Sequence, residues 1–173
     1  YEKCNEAIFV SGCLRSGTTI LAKIIHSFKN VELAFEPPTL FSSFYLMDRL
    51  NNEQFKILYG IYLYEEFLMN ALAGRAINCN RGDDSSIYNV KSEETVNARL
   101  KNSFGKKDTQ EQAKLSTIAL KIPSIVGFLP RLKQLFPGTK VVVITRTAEE
   151  IFHSILEKEL FRSDVLREKN LHY

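Results

Sequence analysis

The segment GCLRSGTT combines glycine, arginine and hydroxyl side chains in a pattern that can bind an anion. A phosphate-binding loop reads G-x-x-x-x-G-K-[ST], in which backbone amides surround the phosphate and the lysine reaches its outer oxygens. Gly12 and Gly17 have this spacing, and Thr19 occupies the Ser/Thr position. Thr18 replaces the lysine, however, and Arg15 lies inside the loop. The segment is therefore either a simple helix cap or a phosphate loop adapted to a different chemistry.

The sequence on either side of the loop predicts a strand and a helix. The apolar run AIFVSG before it is typical of a short buried strand, and we expect a helix from Gly17 to about Lys29. The N-terminus of a helix offers free N–H groups and a partial positive charge to an anion. Strand, loop and helix together therefore favour the anion-binding interpretation over a simple cap.

The side chains of the loop suit an anion that is bound without magnesium. Ser16, Thr18 and Thr19 offer hydroxyl donors, and Arg15 can contact a phosphate through two nitrogens, which lysine cannot. In P-loop NTPases the lysine reaches the β- and γ-phosphates, and an aspartate helps to hold Mg²⁺. Here the candidate strand for that aspartate runs into Arg146 instead. The absence of both groups argues against ATP hydrolysis and favours a donor that needs no metal.

The rest of the chain predicts one α/β domain. A length of 173 residues suits a single domain, with residues 41–115 forming a mostly helical insertion. Strands separated by helical patterns predict three layers, a parallel sheet with helices on both faces. We expect strands at 31–35, 116–123 and 141–145, the last of them buried, and helices at 51–74, 91–102, 128–136 and 148–161. The polar segment 105–114 is the best candidate for a mobile surface loop.

Composition restricts the classes of partner and compartment. A net charge of +3 is too small to indicate nucleic-acid binding, so any anion site must be local. Cys4, Cys13 and Cys79 are odd in number and lack paired spacing, which favours reduced thiols in a cytoplasmic protein. No window approaches the ~18 apolar residues of a membrane span. The chain opens at Tyr1 rather than Met, which is compatible with an upstream anchor or signal, and we expect it to continue past Tyr173.

Four segments resemble motifs of the PAPS-dependent sulfotransferases, where PAPS is 3′-phosphoadenylyl sulfate. GCLRSGTTIL resembles the loop that binds the 5′-phosphosulfate, and FEPP resembles the segment that follows it in carbohydrate and tyrosine sulfotransferases. LKIPS resembles the strand end that carries a lysine in the tyrosylprotein enzymes. VVVITRTAEEIFHSIL resembles the strand–loop–helix that binds the 3′-phosphate. The matches cover about residues 7–40 and 116–157, and a DDSSI segment at 83–87 is similar to one in bacterial members.

This resemblance implies a P-loop NTPase-like fold that moves a sulfuryl group from PAPS to an acceptor hydroxyl or amine and releases PAP, with no metal required. PAPS has two anionic ends, and the chain offers two anion-binding strand ends that a parallel sheet brings to one edge. Nothing after Ser154 resembles the segment that closes over the 3′-phosphate in the family. The implied donor-binding residues are Arg15, Ser16, Gly17, Thr18, Thr19, Arg146 and Ser154.

Glu36 and Lys121 are the candidate catalytic residues. Glu36 follows the second strand, and the Pro-Pro after it favours an extended backbone at the edge that carries the loop. Together with the resemblance, this position indicates a base that takes the proton of the acceptor. Lys121 ends its strand at the same edge, where it would neutralise charge on the bridging oxygen and the leaving phosphate. The alternatives are a solvated strand-end carboxylate and a surface lysine.

Three other functions are also compatible with the sequence. They are a P-loop kinase or NTPase, an inactive sulfotransferase-like module that binds a nucleotide or glycan, and a plain α/β structural domain. The resemblance implies that residues 41–115 carry the acceptor-side elements. The acceptor is a small molecule, carbohydrate or peptide, and no motif specifies which of these it is. Arg75 and Arg81 could meet an acidic acceptor, and Asp83–Asp84 could line its site or make a turn. The aromatic residues expected in the core or in the wall of the acceptor pocket are Phe55, Tyr59, Tyr62 and Phe67.

Overall fold

A four-stranded parallel sheet lies at the centre of the part of the chain that the structure describes. The structure is a computed structural model that describes residues 2–75, 77–101, 105–123 and 125–159. The strands are β1 (Ile8–Gly12), β2 (Val31–Phe35), β3 (Thr117–Lys121) and β4 (Lys140–Ile144). Their order is β2-β3-β1-β4, and every neighbouring pair is parallel. All of their carboxyl ends therefore lie at one edge of the sheet, which we call the carboxyl edge.

Helices lie on both faces of this sheet, as predicted. They are α1 (Glu2–Asn5), α2 (Thr18–Ser27), α3 (Pro38–Leu46), α4 (Asn52–Gly60), α5 (Asn70–Leu72), α6 (Glu93–Leu100), α7 (Lys106–Leu115), α8 (Leu129–Leu135) and α9 (Ala148–Glu157). A π-helical stretch, Ile61–Met69, makes α4 and α5 one continuous helix, and single 3₁₀ turns occupy Ile87–Asn89 and Val126–Phe128. Within the described residues, no helix is long and apolar enough to cross a membrane.

The alternation of side chains along each strand divides the core into two clusters. Phe9 of β1 and Leu120 of β3 face one side, where they join a large cluster with Phe44 and Phe55. The neighbouring residues in sequence face the other side, where Val10 and Ala119 pack with Ile25 of α2. Because α2 packs on the strand that precedes it, the loop between them is held against the carboxyl edge. The predicted α/β architecture is confirmed.

The predicted helix over 51–74 is confirmed together with its start signal. The Asn51 side chain accepts a hydrogen bond from the backbone N–H of Gln54, whose side chain accepts one from the backbone N–H of Asn51. This reciprocal pair is a capping box. The predicted cap of α6 is also present, because the Ser92 hydroxyl accepts from the backbone N–H of Thr95. Local capping chemistry is thus readable from the sequence.

The prediction of a mobile surface loop at 105–114 is wrong, because this segment forms α7. Its polarity reflects a solvent-facing helix, and Thr109 and Ala113, four residues apart, are buried against the rest of the protein. Asp108 accepts a hydrogen bond from the backbone N–H of Gly105 and fixes the start of the helix. Helix α3, which follows Pro37, was not predicted as a separate helix, although most of it falls within the segment 41–115 that was expected to be mostly helical.

Strand β4 differs from the prediction in burial. We expected a buried strand at 141–145, but Val142 is 39% exposed and Val143 is 43% exposed. Strand β4 ends the sheet and pairs with β1 on one side, so its apolar composition does not by itself indicate burial. Helix α9 ends at Glu157, and the last two residues of the predicted helix lie outside the described residues.

A buried cluster of charged groups ties α6 to β2 at the opposite edge of the sheet. Arg99 donates to both carboxylate oxygens of Glu32, at 2.9 and 2.7 Å, and His26 Nε2 lies 3.8 Å from the same carboxylate. The Lys91 ammonium donates to the backbone carbonyls of His26 (2.8 Å), Phe28 (3.1 Å) and Val31 (2.8 Å). No sequence motif indicated this cluster, which joins elements far apart in the chain.

The cluster predicts a loss of stability in acid. Burial by itself would raise the pKa of Glu32, but the nearby His26 ring and the hydrogen bonds and charge of Arg99 lower it from 4.5 to about 2. Burial also lowers the pKa of His26 from its usual 6.5. The unfolded chain therefore binds protons that the folded protein does not, and the free energy of unfolding should fall as the pH drops from 6.5 towards 2. The Glu32 part amounts to about 3 kcal/mol.

Denaturant unfolding at pH 7, 5 and 3 would measure this effect. A Glu65→Gln variant, which alters an exposed carboxylate, should keep the wild-type pH dependence. Equal stability of the wild type at pH 7 and pH 3 would show that the cluster does not carry the predicted linkage.

Candidate active site

The loop after β1 is shaped by a close approach to β4. Gly12 lies opposite Ile144, and a Cβ atom on Gly12 would come 2.4 Å from the Ile144 carbonyl oxygen and 2.8 Å from Ser16 Oγ. Its φ of 155° is also one that other residues rarely adopt. The backbone N–H of Ser16 donates to the Cys13 carbonyl at 3.1 Å and closes the turn. Only glycine fits the first position of the loop.

We expect Gly12→Ala to destabilise the protein by at least about 2 kcal/mol, because the new Cβ meets backbone that cannot move aside. Gly60→Ala is the matched control, since a Cβ at Gly60 would meet nothing within 4 Å and its φ of −65° is helical. That control should leave stability unchanged or raise it. Denaturant midpoints of the two variants give the comparison, and equal midpoints would contradict the steric argument.

The second half of the loop leads into α2 and has the features of an anion-binding site at a helix N-terminus. Gly17 is the N-cap with φ 102° and has no side chain to satisfy the helix N–H groups. Ser16 and Thr18 are buried, at 3% and 5% exposed, and Thr19 is half-buried. The Ser16 hydroxyl makes no hydrogen bond to any residue that the structure describes. A buried hydroxyl in this state fits a donor to a ligand oxygen.

The loop meets the segment after β4 through direct contacts. Arg15 Nε donates to the Ser154 hydroxyl on α9 at 3.1 Å. Arg146 Nη1 donates to the Arg15 carbonyl at 3.3 Å, and Arg146 Nε lies 3.8 Å from the Glu150 carboxylate. The structure therefore brings Arg15 together with Arg146 and Ser154, each of which is more than 130 residues away from it in sequence. Arg15 has φ 66° and points its side chain to Ser154.

Glu36 and Lys121 are in contact at the same edge. The Lys121 ammonium is paired with Glu36 Oε1, and the backbone N–H of Glu36 donates to the Lys121 carbonyl at 2.9 Å. The Lys121 side chain is 6% exposed, whereas the Glu36 side chain is 41% exposed. Within the described residues Oε2 of Glu36 makes no hydrogen bond or ion pair, so one oxygen of the carboxylate faces outward. The extended backbone predicted for Glu36 is wrong, because its φ is 46°, a left-handed conformation that turns the chain between β2 and α3.

The register of the sheet relates this pair to the loop. Lys121 of β3 lies beside Val10 of β1, two residues before Gly12, and the backbone N–H of Ile122 donates to the Val10 carbonyl. Two motifs and the catalytic candidates thus share the carboxyl edge. Sequence reasoning missed Phe35. The Lys121 ammonium lies over the ring of this residue, 4.5 Å from the ring centroid.

Other polar residues singled out by sequence lie in ordinary pairs. Asp84 pairs with Lys23 at 2.6 Å, and Asp83 accepts from Ser85 within a turn. Arg81 pairs with Glu93 and lies over the ring of Tyr88, so its charge is already engaged. These contacts favour the turn interpretation of the acidic pair. Phe55, Tyr59 and Phe67 are buried in the large core cluster, and Tyr62 is half-buried at its margin.

Comparison with known proteins agrees with this geometry. A profile of the sulfotransferase family matches residues 7–171, nearly the whole chain. The chain belongs to the sulfotransferase family, which supports a transferase of that type. A search of curated proteins returned no match.

Proposed function

We propose that the protein transfers a sulfuryl group from PAPS to a hydroxyl or amine of an acceptor and releases PAP. The observation that carries this proposal is the contact of Arg15 with Ser154, which joins two anion-binding motifs at one edge of the sheet. A donor with a 5′-phosphosulfate and a 3′-phosphate presents two anionic groups that suit two such motifs. A nucleoside triphosphate presents one chain of phosphates and would require a metal ligand set.

The donor would be held at its two ends by different elements. The backbone of Gly17 and the hydroxyls of Ser16, Thr18 and Thr19 would bind the phosphosulfate at the start of α2. Arg146 and Ser154 would bind the 3′-phosphate, and Arg15 links the two regions. The buried Ser16 hydroxyl, which has no partner among the described residues, supports this assignment. The donor supplies the activated sulfuryl group, whose S–O bond to the phosphate breaks as a bond to the acceptor forms.

Glu36 and Lys121 would complete the transfer as a pair. The outward Oε2 of Glu36 can accept the proton that the acceptor hydroxyl loses, while Oε1 stays on Lys121. Lys121, held by Glu36 and the ring of Phe35, would stabilise the negative charge that develops on the leaving phosphate oxygen. Pairing fixes both side chains in place before the acceptor arrives, which reduces the entropy lost in ordering them.

Loss of the Arg146 guanidinium should weaken binding of the 3′-phosphate selectively. We expect Arg146→Ala to raise the Kd of PAP by about 10- to 100-fold, because a charge-assisted contact to phosphate is lost. The Kd of 5′-AMP, which lacks the 3′-phosphate, should stay nearly constant. Calorimetric titration measures both ligands, and Arg75→Ala, at an exposed arginine away from the edge, is the control. An equal loss for PAP and AMP would contradict the assignment of Arg146.

A further inference from the structure

A cavity of about 260 Å³ lies beside the carboxyl end of β2. Its walls include Phe35 and Pro37, the two neighbours of Glu36 in sequence, and Tyr62, Glu66, Asn78 and Ser85 from the helical segment and the loop that follows it. Phe35 also holds the Lys121 ammonium on its ring. Neither Glu36 nor Lys121 lines the cavity, but Phe35, which belongs to its wall and contacts the Lys121 ammonium, connects it to that pair. Another cavity of about 360 Å³ lies at the opposite edge, beside Lys91 and Arg99.

The walls combine aromatic surface with groups that bind hydroxyls. Tyr62 is half-buried, and burial, followed by the charge of Glu66, raises its pKa to about 12, so its hydroxyl stays protonated at neutral pH. Asn78 Nδ2 donates to Ser85 Oγ at 2.7 Å, the Asn78 amide oxygen accepts from the backbone N–H of Asn80, and the Ser85 hydroxyl donates to Asp83. These two side chains therefore still offer a ligand one amide N–H and the remaining lone pairs of their oxygens. The backbone adds further groups. The backbone N–H of Glu36 donates to the Lys121 carbonyl, and the Asn30 carbonyl accepts from the backbone N–H of Thr117. The backbone groups of the even-numbered residues of β2 therefore point to β3. The N–H and C=O of Leu33 and Phe35 point to the other side of β2, where no strand pairs with it among the described residues.

The charge of the cavity is negative. Glu66 is exposed and makes no ion pair with any residue that the structure describes. None of the described residues that line the cavity is Lys, Arg or His. An acceptor that carries a carboxylate or sulfate would bring its charge close to Glu66, and the Lys121 ammonium, which lies against Phe35, is already paired with Glu36. Arg81, the nearest candidate in sequence for such a role, is already paired with Glu93.

We propose that this cavity binds the acceptor and selects a hydroxylated ring of about the size of one sugar unit that is neutral or carries an amine. The aromatic residues would cover the apolar face of the ring, and the carboxylate, amide and hydroxyl groups would bind its hydroxyls. The volume is below the ~300–1,000 Å³ of pockets that hold drug-sized ligands, which suits a single ring. This inference rests on the proposed function, because the cavity matters as an acceptor site only if Glu36 acts there.

Three sugars with the same ring and different charge test the proposal. Glucosamine, glucose and glucuronic acid are titrated onto the full chain and followed by ligand-observed NMR. We expect glucosamine and glucose to bind and glucuronic acid to bind the weakest. Glu66→Gln should weaken glucosamine by about two- to fivefold and reduce its advantage over glucuronic acid. Glu65→Gln, one residue away on the same helical segment, should leave all three Kd values unchanged.

The PAP titration, run on the same samples, separates the two claims. If PAP binds and glucosamine and glucose do not, or if glucuronic acid or a tyrosine peptide binds more tightly, the acceptor class inferred here is wrong and the proposed function stands. Failure of the Glu66→Gln variant to reduce the advantage of glucosamine over glucuronic acid also overturns the inference. If the sugars bind as expected and PAP does not, the binding site stands and the proposed sulfotransfer fails.

Discussion

Replacing Glu36 with glutamine should lower kcat for sulfuryl transfer by about 10²- to 10⁴-fold, the range found when a general base is removed. Glutamine has nearly the shape of glutamate and can still meet the Lys121 ammonium through its carbonyl oxygen. It cannot take a proton from the acceptor. The fold and the donor site should therefore remain intact while the proton transfer fails. PAP formed from PAPS, with a panel of acceptor hydroxyls, gives kcat.

Two controls show whether the loss of activity comes from the missing base rather than from damage to the fold or the donor site. The Kd of PAP for Glu36→Gln should stay within about twofold of the wild type, because no contact of Glu36 with the donor is proposed. Glu94→Gln, on the exposed surface of α6, should keep full activity. Turnover of Glu36→Gln at the wild-type rate would remove Glu36 from the mechanism and favour a solvated strand-end carboxylate.

Removal of the Lys121 charge should have an effect of similar size. Lys121→Met keeps the length of the side chain and its contact with Phe35 but removes the ammonium, and we expect kcat to fall by about 10²- to 10³-fold. The physical reason is that Lys121 is 6% exposed, so in the proposed role its charge would act on the leaving oxygen with little screening by water. Steady-state rates with saturating PAPS measure the loss.

Lys121→Arg is the informative partner variant. It restores a positive charge but at a different distance and with a planar head group, so activity should recover only in part. Full activity of Lys121→Met would show that the lysine supports the structure of the edge and takes no part in transfer. The same conclusion would follow if Lys121→Met lost activity only because the variant unfolds under the assay conditions, which its denaturant unfolding curve would show.

The sequence predicted the fold and the composition of the edge because both depend on local signals. Gly12 and Gly17 stand at a strand end and a helix start, and Arg146 follows the end of β4 by two residues, so the rule that strand ends share one edge brings them near. The caps at Asn51 and Ser92 are equally local. The pairing of Arg15 with a particular hydroxyl depends on how the helix after β4 is tilted, which no spacing encodes.

The wrong predictions arose where one signal was read without its competitor. Segment 105–114 is polar, but it is also rich in Lys, Gln, Glu and Ala, which favour a helix, and its two buried residues are four apart. The run Val141–Ile144 is apolar and β-branched in sequence, but burial depends on the position of a strand in the sheet, and β4 is an edge strand. The Glu32–Arg99 pair joins residues 67 apart and could not be read from either one.

Calorimetric titration of the wild-type protein with PAP and, separately, with ATP and Mg²⁺ distinguishes a site for the sulfuryl donor from a site for a nucleoside triphosphate. We expect PAP to bind in the presence of a chelator and more tightly than ATP–Mg²⁺, because the two motifs at the carboxyl edge would receive two separate anionic groups without a metal. Tighter binding of ATP–Mg²⁺, or PAP binding that requires the metal, would contradict it and return the loop GCLRSGTT to the class of nucleoside triphosphate sites.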